Sequence, residues 1–489
     1  MRLRSTLGET NMPKKPFTRR QFLNVATMSA AVMALGRGLY AAEPKRTNVL
    51  LITADDANWD SFGCTGSKTP DVSPNIDRLA AEGMRFEHAH VTSAICQPSR
   101  SAIGTGRYPH RSGALGFDPI RQDVPTIVER FKSAGYYTGI LAKVEHMTPP
   151  SKFCWDSVVS GSDLGNGRDP ELYYRYTEAF LKRAKSLGKP FFLMANSQDP
   201  HRPFPTSEGT GAASFADKVS RVYKPEEVEV PGFLPQGISD IQREIAQYYT
   251  AVHRLDETVG QILRALRETE LEDNTIVIFL SDNGISVPFA KTNCYENSTK
   301  TPLIISWPGK VRPGVVDREH FVSGVDIMPT LIDALGLPAV EGMDGKSFLP
   351  VLDGKRLWER DKVFTFITST AGRNFYPMRS VRTATHSYIF NAWSDGKTQF
   401  KNEPMSGLIW NAMVQAGKKD PKIAERCKFY LYRVPEEFYD LKTDPCELNN
   451  LIHSDSSRAQ IDQLRSELLE MMKATADPLL DEFRKRIGA

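Results

Sequence analysis

The stretch TNVLLITADD, residues 47–56, decides the reading of the fold. An apolar run too short for a typical helix ends in two carboxylates, Asp55 and Asp56. A strand of a parallel sheet reads this way, because helices cover both its faces and leave no polar side to alternate with the apolar one. Three more runs follow the pattern. GYYTGILAKVEH (135–146) leads into Lys143 and His146, KPFFLMANSQDPH (189–201) into Asp199 and His201, and NTIVIFLSDNG (274–284) into Asp282 and Asn283. Helix-like segments separate them: NIDRLAAEGM (75–84), TIVERFKSAG (126–135), YTEAFLKRAKSLG (176–188) and YTAVHRLDETVGQILRALRET (249–269). Strands alternating with helices predict an α/β fold whose large domain holds a mostly parallel sheet flanked by helices. TPLIISWPG (301–309) offers a further strand and DIMPTLIDALGLP (326–338) a helix with a Gly-Leu-Pro stop.

From about residue 360 the pattern changes. KVFTFITS (362–369), MRSVRTATHSYIFNAW (378–393) and EEFYDLKTD (436–444) read as shorter strands joined by turns. RAQIDQLRSELLEMMKATAD (458–477) reads as an amphipathic helix with Leu464, Leu468 and Met471 on one face. The expected organisation is a catalytic α/β domain over 43–360 and a C-terminal α+β subdomain with an antiparallel sheet over 361–489.

The first 42 residues carry a separate message. Arg19 and Arg20 precede a short apolar run to Leu35, and Ala41-Ala42 closes it. This is the layout of a secretory leader of the twin-arginine type, too short to span a bilayer. It predicts a mature chain in the bacterial periplasm or outside the cell, and no other stretch predicts a membrane span.

Bulk composition restricts the rest. The 489 residues carry a formal net charge of +3, with 40% hydrophobic and 25% charged residues. That is an ordinary globular balance, and with no long Lys/Arg run it gives no reason to expect nucleic acid. Six scattered cysteines without a CxxC pair exclude a disulfide scaffold and a zinc ribbon, while leaving room for one or two bridges. The oligomeric state is not fixed, and a homodimer is compatible with the sequence.

Open α/β sheets bind ligands outside the carboxyl ends of their strands. Asp55, Asp56, Lys143, His146, His201, Asp282 and Asn283 all fall there. Either acidic pair alone reads as a cap or turn. Together they offer oxygen ligands suited to a hard divalent cation, Ca²⁺ or Mg²⁺. Cys96 lies in SAICQPSRSAIGTGRYPHRSG (93–113), where a helix is expected just after it, with Pro98 in the first turn. A group at Cys96 then faces free backbone N–H groups and the positive end of the helix, with Arg100 one turn on. A free thiol, half a disulfide, a metal ligand and a precursor of another group all remain open, although sulfur does not suit a hard cation.

Cys-x-Pro-Ser-Arg followed by TGRYPHRSG (105–113) resembles the sulfatase signature, and YDLKTDPCELNNL (439–451) resembles the common sulfatase ending. QDPHRPF (198–204), VIFLSDNGISVPFAKTN (277–293) and YPMRSVRTATHSYIFN (376–391) are similar to the heparan N-sulfatase (sulfamidase) branch. The resemblance implies an alkaline-phosphatase-like fold. It also implies that a maturation enzyme oxidises Cys96 to formylglycine, whose hydrated aldehyde is the nucleophile toward sulfur. Asp55, Asp56, Asp282 and Asn283 would hold Ca²⁺, with the modified Cys96 as a further ligand and Mg²⁺ as the alternative ion. Arg100 would steady the nucleophile and the sulfate, Lys143 and Lys291 would contact the sulfate, and His146 would help the intermediate collapse. His201 would protonate the leaving atom. Arg379, in a segment expected to line the pocket, would bind substrate. The family often spaces its lysine and histidine as Lys-x-His, whereas this chain has Lys143-x-x-His146, which calls for a bulge or a different loop. The implied activity is hydrolysis of the sulfamate of a terminal N-sulfoglucosamine in heparan-type glycosaminoglycans, with exo O-sulfatase action on a sulfated glycan or another sulfate ester as the alternative.

Overall fold

The structure is a computed structural model describing residues 46–206 and 218–489. The leader expected over 1–42 lies outside the described residues. Residues 47–489 form one contact unit that contains two sheets. The larger has eight strands: β1 Asn48–Asp55, β2 Met84–His90, β3 Tyr137–Leu141, β4 Ser157–Val159, β5 Phe191–Pro200, β6 Thr275–Ser281, β7 Leu303–Ser306 and β8 Val315–Ser323. Their order is β4-β3-β5-β1-β6-β7-β2-β8. The pairs β4/β3, β3/β5, β5/β1, β1/β6 and β2/β8 are parallel. The strand expected at 301–309 is β7, which runs antiparallel to both β6 and β2.

All eight residues of β1 are buried, as its unbroken apolar pattern requires. Leu50, Ile52 and Ala54 point into the core covered by the helices Pro170–Ser186 and Ser239–Glu268. Val49 and Leu51 point to the opposite core, under Ile127–Ser133 and Ile327–Ala334. Successive side chains of a strand alternate faces, so one short run serves both layers. Each fully buried Leu or Ile contributes about 1.5–3 kcal/mol to keeping the sheet closed.

The smaller sheet has the order β12-β11-β10-β9, all antiparallel, with β9 Lys362–Ser369, β10 Phe375–Thr383, β11 His386–Asn391 and β12 Glu436–Asp440. The helix Arg458–Ala474 lies on it, burying Ile461, Leu464, Leu468 and Met472 against Phe366, Val381, Tyr388 and Phe438. All six cysteines are free thiols, so the bridges left open by the sequence are not formed. Among the described residues no helix is long and apolar enough to cross a membrane.

Arg379 corrects an expectation. It sits on β10, 1% exposed, and its guanidinium grips Asp477 through Nε at 2.6 Å and Nη2 at 3.2 Å. Nη1 donates to the Ile367 carbonyl at 2.8 Å. The residue therefore ties the small sheet to the segment after the Arg458–Ala474 helix and has no donor turned toward a substrate cleft. The short sequence motif could not reveal this, because the anchoring carboxylate is 98 positions away. His110 lies 3.9 Å from the same carboxylate, but burial pushes its pKa down to about 4, so it supplies no replacement charge near neutrality. Arg379→Met should cost about 3–5 kcal/mol by stranding a buried carboxylate. Thermal unfolding should show a large fall in Tm with KM unchanged in the surviving folded enzyme. The double variant Arg379→Met/Asp477→Leu should recover much of the loss.

Candidate active site

Because β3, β5, β1 and β6 are neighbours in that order, their carboxyl ends bring Lys143, His201, Asp55, Asp56, Asp282 and Asn283 to one edge of the sheet. The chain must turn sharply there. Asp56 adopts a left-handed backbone conformation (φ 69°), and so do Ala142 and Lys143 in succession (φ 54° and 53°). Such conformations strain residues with a Cβ and are tolerated where the surroundings fix them. Gly284 follows Asn283 for a different reason. A Cβ there would lie 1.9 Å from the Asn297 carbonyl oxygen, so only glycine permits this close approach.

Cys96 opens the helix Cys96–Thr105, one residue earlier than the sequence suggests, and is 2% exposed. Its thiol donates to Asp55 Oδ1 at 3.2 Å. Burial, reinforced by the Asp55 carboxylate, pushes this thiol well above its usual pKa. With the charges of the chain alone, Cys96 is a protonated donor and a poor nucleophile. Arg100 lies one turn on and is fully buried. It donates to Thr53 Oγ1 and Asn196 Oδ1, both at 2.6 Å, and pairs through Nη2 with Asp282 Oδ2 at 2.7 Å. Both ends of its fork are thus engaged by the protein beneath the site.

The other cations divide among the carboxylates. Lys143 pairs with Asp55, and Lys291 pairs with Asp56 at 2.8 Å. Asp282 accepts from the Asp56 amide at 3.2 Å, and the Asn283 side-chain amide donates to Asp56 Oδ1 at 2.7 Å. Burial alone would raise the Asp55 carboxyl, but Lys143, His201, Arg100 and Lys291 together hold it well below the ordinary range. Asp56 is raised by burial despite Lys291. Burial drives Asp282 up to about 7 against the pull of Arg100, with Asp55 and Asp56 adding to the rise.

His201 lies at the mouth, its side chain 22% exposed. Nδ1 faces the Arg202 carbonyl at 2.5 Å, while Nε2 is 3.2 Å from Glu403 Oε1 and 3.9 Å from Asp56 Oδ2. Ligating atoms of Asp55, Asp56, Cys96 and His201 all lie within 4.8 Å of one another, and Asp282 and Asn283 adjoin this group through Asp56. The residues fit a divalent cation on two counts. Asn283 Oδ1 is buried without a hydrogen-bond partner. Three cations, Arg100, Lys143 and Lys291, face four carboxylates, Asp55, Asp56, Asp282 and Glu403. A buried excess of negative charge is the situation a bound cation relieves.

His146 follows Lys143 in the short 3-10 turn Val144–His146, so the extra residue in Lys-x-x-His is absorbed by a left-handed pair and a tight turn instead of a bulge. Burial, helped by Lys143 and Arg100, pushes its pKa down to about 2, which leaves it neutral. Its ring meets the edge of Phe117 at 5.6 Å.

Glu403 is the site residue that sequence reasoning missed. It begins the short turn Glu403–Ser406, and its carboxylate reaches Lys291 Nζ at 2.8 Å as well as His201. Burial would raise its pKa, but Lys291 and then His201 hold it down at about 2. Nothing in KNEPMSGL (401–408) signals a site, since the partners lie more than 100 positions earlier.

The chain is similar to known proteins along most of its length. The sulfatase family model matches residues 47–337, and the model for the C-terminal part of N-sulphoglucosamine sulphohydrolase matches 286–397. Human N-sulphoglucosamine sulphohydrolase is 30% identical over 92% of this chain and 94% of its own length. An ulvan-active sulfatase of Formosa agariphila is 27% identical over 91% of this chain and 83% of its own. Among solved structures, a complex of an enzyme with its substrate D-glucosamine-2-N,6-O-disulfate superposes with a TM-score of 0.66 at 20% identity, covering 90% of this chain and all of that one. The phosphonate monoester hydrolase of Agrobacterium radiobacter shares the fold with a TM-score of 0.67 at 18% identity, over 88% of this chain and 96% of that one. Strand order, the helix opened by Cys96 and these matches lead to one conclusion: the chain belongs to the sulfatase family.

Proposed function

We propose that the protein removes the sulfo group from the nitrogen of a terminal N-sulfoglucosamine in a heparan-type glycan. The observation that carries the reading is the seating of Cys96 at a helix start, 3.2 Å from Asp55 and beside a carboxylate cluster short of positive charge. The similarity to human N-sulphoglucosamine sulphohydrolase along nearly the whole of both chains supports the nitrogen-linked substrate. O-sulfatase action on a glycan is the second reading, favoured by 23% identity to an N-acetylglucosamine-6-O-sulfatase of Bacteroides thetaiotaomicron over 88% of this chain.

Formylglycine made from Cys96 by a maturation enzyme would supply an oxygen nucleophile and a second hydroxyl able to expel sulfate. A divalent cation, Ca²⁺ in this reading, would be held by Asp55, Asp56, Asp282 and Asn283 and would stabilise negative charge on oxygen. Arg100 locks Asp282 in place. Lys143 and Lys291 balance the sulfo oxygens, whose charge otherwise repels an incoming nucleophile. His201, with Nε2 turned to the mouth, delivers a proton to the leaving nitrogen. His146, half-buried and held neutral near Lys143, would accept a hydrogen bond from the group at residue 96 when the enzyme is restored, since a pKa of about 2 makes it too weak a base to take up the proton. The leader at 1–42 would export the folded chain to the periplasm.

The test is sulfate release by purified, matured enzyme from N-sulfoglucosamine and from 6-O-sulfated N-acetylglucosamine side by side. The first should release sulfate at least about tenfold faster, because a sulfamate nitrogen on the ring and an oxygen on the exocyclic carbon place the rest of the sugar differently around the same sulfo group. Release from the second compound alone would assign the enzyme to the O-sulfatases.

A further inference from the structure

A carboxylate is an odd neighbour for two cationic groups in a site that must attract an anion. Glu403 takes positive charge away from Lys291 and faces His201 with the oxygen a substrate would otherwise meet. Its side chain is 29% exposed and that of His201 is 22% exposed, while Lys143 and Lys291 are almost fully covered. Among these site groups, then, the Glu403–His201 edge forms the mouth.

Glu403 is also held rigidly. Ser286 Oγ donates to Oε1 at 3.4 Å. Behind it, Gly407 packs so closely on the buried Arg202–Glu244 pair that a Cβ would lie 2.4 Å from Arg202 Nη2 and from Glu244 Oε1. The same Glu244 accepts from the Ile409 amide at 2.7 Å, at the start of the helix Leu408–Gly417. A long-range ion pair thus fixes the segment that presents the carboxylate, which distinguishes Glu403 from a mobile surface acid.

Resting on the sulfatase reading above, we propose that Glu403 is a specificity-determining residue whose carboxylate accepts a hydrogen bond from the sugar hydroxyl beside the scissile sulfo group and excludes sugars bearing a second anion at that position. With the sulfo group seated beside Cys96 between Lys143 and Lys291, and the leaving atom toward His201, the adjoining ring carbon falls at the mouth. A hydroxyl there donates to the carboxylate, and a charged acceptor makes such a bond stronger than a neutral one. A sulfate in its place meets a fixed like charge. Discrimination of this kind works by repelling the wrong partner as much as by holding the right one.

The experiment measures binding in the Cys96→Ala background with Ca²⁺ present, where residue 96 has no nucleophile and the probes stay intact. The probes are N-sulfoglucosamine and its 3-O-sulfated derivative. The parent should bind the singly sulfated sugar about 10- to 100-fold more tightly, the size expected for one partly solvated like-charge contact. E403Q should narrow that ratio at least about tenfold, chiefly by improving binding of the doubly sulfated sugar. Glu403→Asp should keep the exclusion while weakening the singly sulfated sugar. An unchanged ratio in E403Q, or a parent that binds both sugars equally, overturns the proposal. Failure of matured parent enzyme to release sulfate overturns the functional reading instead, so the two failures are told apart.

Discussion

Cys96→Ser should lower steady-state sulfate release by about 10⁴-fold or more while leaving the fold and Tm within experimental error of the parent. Serine is close in size to cysteine, and its hydroxyl can donate to Asp55 as the thiol does. The packing around residue 96 therefore changes little. What changes is chemistry. A serine cannot become an aldehyde, so an enzyme carrying it lacks the second hydroxyl needed to expel sulfate. It should free at most a single equivalent of the desulfated sugar, keep the sulfo group as an ester on the serine, and then stop. A burst measurement in stopped or quenched flow separates this from slow uniform turnover. Mass spectrometry of the active parent should find the Cys96 peptide without its sulfur. Full turnover by Cys96→Ser, or an unaltered thiol in fully active enzyme, would refute the assignment of residue 96.

Removal of divalent cations should abolish activity to below about 1% of the loaded enzyme, with recovery on adding Ca²⁺. The buried charges explain why the loss should be nearly complete. Burial already drives Asp282 up to about 7, with Asp55 and Asp56 adding to the rise, although Arg100 pairs with it at 2.7 Å. In such surroundings the sulfo group would add further negative charge with only Lys143 and Lys291 to receive it. The apo protein should nevertheless stay folded. Asp55, Asp56 and Asp282 each keep a cation of the chain, Lys143, Lys291 and Arg100 respectively. Chelation should therefore abolish catalysis at temperatures where circular dichroism shows an intact fold. Global unfolding by a chelator, or full activity in its presence, would contradict the balance of charges described here.

The sheet was legible because its signal is local. A buried parallel strand must be apolar on both faces, and β1, β5 and β6 announce this within ten residues each. The reversed β7 was not legible, since direction depends on which strands it joins, and its apolar residues are the same either way. The acidic strand ends and the Cys96 helix were legible for the same reason as the strands, their residues lying in short runs. The packing of the C-terminal half was less so. Two helices, Leu408–Gly417 and Pro421–Tyr432, fall in a stretch with no clear reading, and one of them anchors Glu403.

From the sequence by itself came the α/β class, the second antiparallel sheet and the candidate ligands Asp55, Asp56, Asp282 and Asn283, while the expectation of a nucleophile at Cys96 came from the family resemblance of its motif. Periodicity and short motifs carry these, and both depend on neighbours along the chain. Only the tertiary structure decided that Arg379 is spent on Asp477, that His146 is half-buried and neutral, and that Glu403 stands at the mouth beside Lys291 and His201. Each of those outcomes is set by desolvation or by a charge brought in from distant sequence. Folding alone creates the low-dielectric surroundings in which such a charge outweighs a residue's intrinsic chemistry.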